Sequence, residues 1–191
     1  MPLPLFELII NDEDHSGVTG VALVDSPAIE VNWVAFNKNE PVKFQTFSQE
    51  KRIIAGALML ANVPIYRNDQ RGEYNCYFSS QTIEQIVTKF HKNQYEHRVN
   101  PMHDSMLILP DIYMVSDFII DSEKGFNTPM GFEEMPNGSW FGMFKVDNMD
   151  VWNEYIKTGK FKGFSVEGFF EDRPSELTEA DVMKLANVLT L

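Results

Sequence analysis

What most restricts the fold is punctuation: through the first 79 residues, short apolar runs are repeatedly cut by turn-forming clusters before any helix could develop. Leu5 to Ile10 closes at Asn11-Asp12-Glu13-Asp14 and Gly17, and Val18 to Val24 stops at Asp25-Ser26-Pro27. Val31 to Phe36, Val42 to Phe47, Ile53 to Leu60 and Tyr74 to Phe78 read as further strands. The period then changes. Ile83, Ile86, Val87 and Phe90 form the stripe of an amphipathic helix, with Ser80 as its expected cap. His91 to Pro110 is polar and irregular, Asp111 to Asp121 is a strand, and Gly125 to Gly138 is a loop. After the strand Ser139 to Val146, Asp147 is expected to cap a helix carrying Val151, Trp152, Tyr155 and Ile156, ended by Gly159. Phe161 to Phe170 is the last expected strand, and a helix from Thr178 bears Val182, Leu185, Ala186 and Leu189.

Many short strands with two or three helices, and no regular strand-helix alternation, exclude a doubly wound parallel sheet. The expectation is an α+β fold, a mostly antiparallel β-barrel or sheet decorated by two or three helices. Residues 1–172 would form the barrel domain and residues 173–191 a C-terminal helical tail.

Charge narrows the partners. Sixteen Lys and Arg against 28 Asp and Glu leave a net charge of −12, which repels phosphate backbones, so no nucleic-acid partner is expected. No apolar run reaches the ~20 residues of a membrane span, and MPLPLFELIINDED lacks the basic start of a signal peptide. A single cysteine, Cys76, excludes an intrachain disulfide and a Cys-rich zinc site, which suits a reducing compartment. There is no Gly-rich phosphate loop, HExxH or GxSxG, and the spacing of His91, His97 and His103 puts no two on one helical turn. No metal and no cofactor is expected. Trp33, Trp140 and Trp152 are expected as core or interface anchors.

Two stretches could carry chemistry. Asn100-Pro101-Met102-His103-Asp104 places a histidine just before a strand. In Lys162-Gly163-Phe164-Ser165-Val166-Glu167-Gly168-Phe169-Phe170, strand parity puts Phe164, Val166 and Phe170 on one face and Ser165, Glu167 and Phe169 on the other. Alone, the first is a polar loop histidine and the second a half-buried strand serine.

Their order along the chain changes that weighing. VALVDSPAIEVNWVAF, NVPIYRND with EYNCYFS behind it, NPMHDS, a strand ending FIID, GSWFGMFKV, and VWNEYIKTGKFKGFSVEGFF follow one another. In that order the chain resembles the tailed-phage prohead (capsid maturation) serine protease family over about residues 5 to 171. The resemblance implies a barrel related to the herpesvirus assembly proteases, with Ser165 as nucleophile and His103 as general base. An alcohol is a poor nucleophile at neutral pH, so an imidazole must take its proton during attack on the scissile carbonyl.

The acidic member stays open. Relatives tend to carry a glutamate where this chain has Ser116, and a carboxylate stands next door at Asp117. Adjacent strand residues face opposite sides, so Asp117 could replace that glutamate only if a bulge shifts the register. Glu167 shares the face of Ser165, about 6.6 Å along the strand. Asp117 and Glu167 rank level, with Asp104 behind them.

The resemblance further implies an endopeptidase of capsid assembly, enclosed in the procapsid within the host cytoplasm. Its partners would be the scaffold and the major capsid protein as peptide substrates, cut after glutamate, followed by cleavage of itself. Whether it forms a homo-oligomer is left open. The alternative is a catalytically inactive structural or scaffold-associated virion protein with the same barrel, motivated by the missing glutamate.

Overall fold

The computed structural model describes residues 3–13, 15–25, 44–130, 132 and 134–187. The strands are β1 (Leu5–Ile9), β2 (Gly17–Val24), β3 (Gln45–Ser48), β4 (Ile53–Met59), β5 (Ile65–Asp69) and β6 (Gly72–Tyr77), then β7 (Val99–Pro101), β8 (Ile112–Ile119), β9 (Trp140–Val146), β10 (Gly163–Phe169) and β11 (Glu171–Pro174). The helices are α1 (Ser80–Lys92), α2 (Met149–Val151, continued as a π-turn over Trp152–Ile156) and α3 (Glu179–Asn187).

The stripe read from the sequence organises the core. Ile83, Ile86 and Phe90 of α1 are buried in one cluster with Val18, Val21 and Leu23 of β2, Val99 of β7, Trp140 and Phe144 of β9, and Phe164 of β10. A side chain of that size contributes roughly 1.5–3 kcal/mol when withdrawn from water, so this face joins α1 to strands from four separate regions. Trp140 and Trp152 are both buried, as core anchors should be. Trp33 and the expected strand Val31 to Phe36 lie outside the described residues.

The fold is α+β, and most strand pairs are antiparallel. The described strands form three sheets, ordered β11-β1-β6-β5, β10-β2-β7 and β3-β4-β9-β8, and no closed barrel forms among them. A barrel requires every edge strand to find a partner, and each of these sheets retains edges. Two pairs, β1 with β6 and β2 with β7, are parallel.

Local boundaries differ from expectation where a side chain competes for a backbone group. Ser79, not Ser80, caps α1, because its hydroxyl accepts the Thr82 N–H at 3.2 Å. The helix reaches Lys92, so His91 sits in its last turn instead of an irregular segment. Asn148, not Asp147, caps α2, accepting from Val151 N at 3.0 Å, while Asp147 pairs with Arg52 at 2.8 Å. β5 forms a hairpin with β6, although only Tyr74 to Phe78 was expected. β7 lies inside the stretch read as irregular, and β11 straddles the boundary expected at residues 172 and 173 between the barrel domain and the helical tail. β11 pairs antiparallel with β1, and α3 buries Val182 and Ala186. Leu189 is outside the described residues.

Candidate active site

The small sheet β10-β2-β7 brings the two chemical stretches together. Ser165 lies opposite Ala22, and Ala22 lies opposite Asn100, so the three form one row across the sheet. At about 4.8 Å per strand, that row spans roughly 10 Å. All three are buried. Glu167, two residues beyond Ser165, faces Gly20.

Two glycines make this arrangement fit. The register of β10 against β2 shifts between Glu167 and Gly168, leaving Thr19 as the extra residue of a bulge. At Gly168 the strands approach so closely that a Cβ would stand 2.1 Å from the Gly17 carbonyl oxygen. At Gly20 a Cβ would stand 3.2 Å from Arg98 O and 3.7 Å from Glu167 Oε2. Hydrogen there leaves the space through which the Glu167 side chain crosses β2 towards β7.

His103 is delivered by the turn that ends β7. Met102 and His103 both have left-handed backbone, with φ of 51° and 63°. For residues with a Cβ this costs on the order of 1–2 kcal/mol each. The turn is held by Met102 N donating to Leu23 O at 3.0 Å and Asp104 N donating to Pro101 O at 2.9 Å. Unusual backbone held in place by its surroundings is a recurring feature of functional sites.

The result is a carboxylate bridging two strands. Glu167 Oε2 accepts from Asn100 Nδ2 at 2.6 Å, and Glu167 Oε1 lies 3.0 Å from His103 Nδ1. With its proton on Nδ1, His103 donates to Glu167, and Nε2 is left as the basic lone pair. The Glu167 side chain is 19% exposed and the His103 side chain 47%, so the carboxylate is sheltered while the imidazole reaches solvent. Ser165 makes no side-chain hydrogen bond among the described residues. A serine and a base can be loosely aligned without substrate and tighten when it binds.

The other carboxylates of the sequence reading are elsewhere. Asp104 Oδ1 accepts from Met106 N at 3.2 Å, shaping its own turn. For Asp117 the required bulge exists: the register of β8 against β9 shifts between Met114 and Ser116. Beyond it, Asp117 opposes Gly142, which joins Asp117 to the inward face of Ile112 and Met114. That face meets His91, not His103. Asp117 Oδ2 lies 2.9 Å from His91 Nε2 and accepts from Trp140 Nε1 at 2.7 Å, while His91 Nδ1 lies 2.7 Å from Glu96 Oε1. Burial alone would lower the His91 pKa, but the hydrogen bonds to Asp117 and Glu96 outweigh it and raise it above the ordinary imidazole value. His91 therefore clasps α1 to β8, and its protonated form can donate to both carboxylates. Of the three acidic candidates, only Glu167 contacts His103.

Asn100 and Gly20 were not singled out from the sequence as site residues. Asn100 lies three positions before His103, but the strand register that points it at Glu167 has no local signature. Its Oδ1 is buried without a partner among the described residues. Among the described residues, no group of three or more His, Cys, Asp or Glu side chains could hold a metal ion.

No curated protein and no solved structure matches the chain. A family model described as "Putative phage serine protease XkdF" matches residues 41–173. That span covers well over half of the chain and includes Asn100, His103, Ser165 and Glu167, and the chain belongs to this family of phage serine proteases.

Proposed function

We propose that the protein is a serine endopeptidase of phage capsid assembly, with Ser165 as nucleophile, His103 as general base and Glu167 as the carboxylate that orients the base. The observation that carries this reading is the 3.0 Å contact between His103 Nδ1 and a glutamate two residues from the serine on one strand. The carboxylate fixes the tautomer, so Nε2 can take the Ser165 proton as Oγ attacks a peptide carbonyl. The imidazolium then gives that proton to the leaving amine, and water resolves the acyl-serine by the same base. The reaction as written uses Ser165, His103, Glu167 and one water. In this reading the substrates are the scaffold and the major capsid protein, the enzyme also cuts itself, and the work takes place inside the procapsid in the host cytoplasm. The acidic charge supports the absence of a DNA partner.

A second reading, an inactive structural or scaffold-associated virion protein, is favoured by one observation: the Ser165 side chain has no hydrogen-bond partner among the described residues. A fluorophosphonate probe separates the two. Labelling of Ser165 that is lost in Ser165→Ala and in His103→Ala supports the protease, and an unlabelled intact chain supports the structural protein. Incubation with the purified scaffold and sequencing of the new fragment ends then gives the substrate bonds.

A further inference from the structure

A cavity of about 360 Å³ lies beside Ser165. Its walls come from Leu8, Leu58, Leu60, Val63, Ile65 and Phe78, together with β10 and Phe170, and Arg67 supplies its charged lining residue. Ser165 and Phe169 belong to one face of β10 by strand alternation and Val166 to the other, yet all three line the cavity. A cavity touched by both faces of a strand runs along its edge. Among the described residues β10 pairs with β2 alone, so this is the unpaired edge. Phe44 N donates to Lys162 O at 2.9 Å just before β10, and along Ser165–Phe169 no described strand pairs with this edge, whose N–H and C=O groups can receive another extended chain.

We propose that this cavity is the specificity pocket, in place of the glutamate preference that the resemblance implies: a substrate peptide adds to this edge of β10 and places a large apolar side chain, such as Leu, Met or Phe, among Leu58, Ile65, Val63 and Phe78. This rests on Ser165 being the nucleophile, since the pocket is defined by its place next to that residue. The walls select by burial. An acidic side chain there would lose its hydration for one cation, and Arg67 is itself exposed on β5. A small side chain would leave the volume unfilled.

The test uses the full chain and a set of internally quenched peptides that differ at a single position beside the scissile bond. The expected result is a kcat/KM for Leu, Met or Phe at least about 10-fold above that for Glu, Asp or Gly, the scale of discrimination in an apolar pocket. Ile65→Trp, which fills the pocket from the half-buried end of β5, moves the preference towards Ala, with thermal melting to confirm folding. If that variant does not fold, the wild-type profile decides alone. A preference for glutamate, or no preference, overturns the pocket while leaving Ser165 proteolysis standing. Labelling of Ser165 without hydrolysis of any peptide also overturns the pocket. Absence of both labelling and hydrolysis overturns the protease reading and the pocket with it.

Discussion

Glu167 holds His103 by its Nδ1 at 3.0 Å from a position two residues along the strand from Ser165, so one strand carries both the candidate nucleophile and a carboxylate in contact with the candidate base. The carboxylate's second oxygen is held by Asn100 across β2, at 2.6 Å. A glutamate tied at both oxygens has little freedom to turn, and the imidazole inherits that rigidity.

Glu167→Gln tests the orienting role. The amide still fills the space over Gly20, but it no longer compensates an imidazolium and can present N–H where an acceptor is needed. We expect kcat to fall roughly 10²–10⁴-fold, with KM changed little. Steady-state kinetics on one cleaved peptide decides it, and an equal rise in KM with kcat unchanged would assign Glu167 to substrate binding.

Asp117→Asn tests the assignment from the other side. Its carboxylate is engaged with His91 and Trp140, and the amide oxygen can still accept from the indole. Peptide hydrolysis should stay within about threefold of wild type. A loss comparable to that of Glu167→Gln would return Asp117 to the catalytic set.

Asn100→Asp puts a second carboxylate against Glu167 in a buried row. The loss of a buried hydrogen bond costs about 1–3 kcal/mol, and the like charges add repulsion that grows as both ionise. Urea unfolding should show a lower midpoint at neutral pH, recovered in part on acidification. An unchanged midpoint across that range would mean that the Asn100–Glu167 contact does not hold in solution.

The His91 clasp predicts a pH dependence of stability. Its folded pKa is raised, so the folded state binds the proton more tightly than the unfolded chain does. That stabilisation is complete below the ordinary imidazole value of about 6.5 and is lost as pH rises through the raised folded value. The urea midpoint should therefore fall over this window, and His91→Gln should flatten the fall. A wild-type midpoint that rises through the same window contradicts the sign.

Gly168→Ala tests the bulge. The new Cβ would meet a backbone oxygen, Gly17 O, which cannot swing aside as a flexible side chain could. Overpacking of this kind costs typically 1–3 kcal/mol, and the strand shift would also move Glu167. Thermal melting should show a lower midpoint and hydrolysis a lower kcat. Retention of both would mean that β10 and β2 separate at this point.

Much of this molecule is written locally. The stripe of Ile83, Ile86 and Phe90 declares a helix because its period is a property of consecutive residues, and the alternation in GFSVEGFF declares a strand with Ser165 and Glu167 on one face for the same reason. Resemblance along the chain singled out His103 and Ser165 as candidates. What it left level, Asp117 against Glu167, turned on registers between distant strands. The bulge at Met114–Ser116 rotates Asp117 inward to His91, and the parallel pairing of β2 with β7 sets Asn100 and the His103 turn within reach of Glu167. β7 itself, three residues with a proline, carries no periodic pattern and exists because β2 supplies its partners. Local periodicity depends only on neighbouring residues, whereas a register between strands is fixed by packing the whole core, so which carboxylate meets His103 was decided by the tertiary structure.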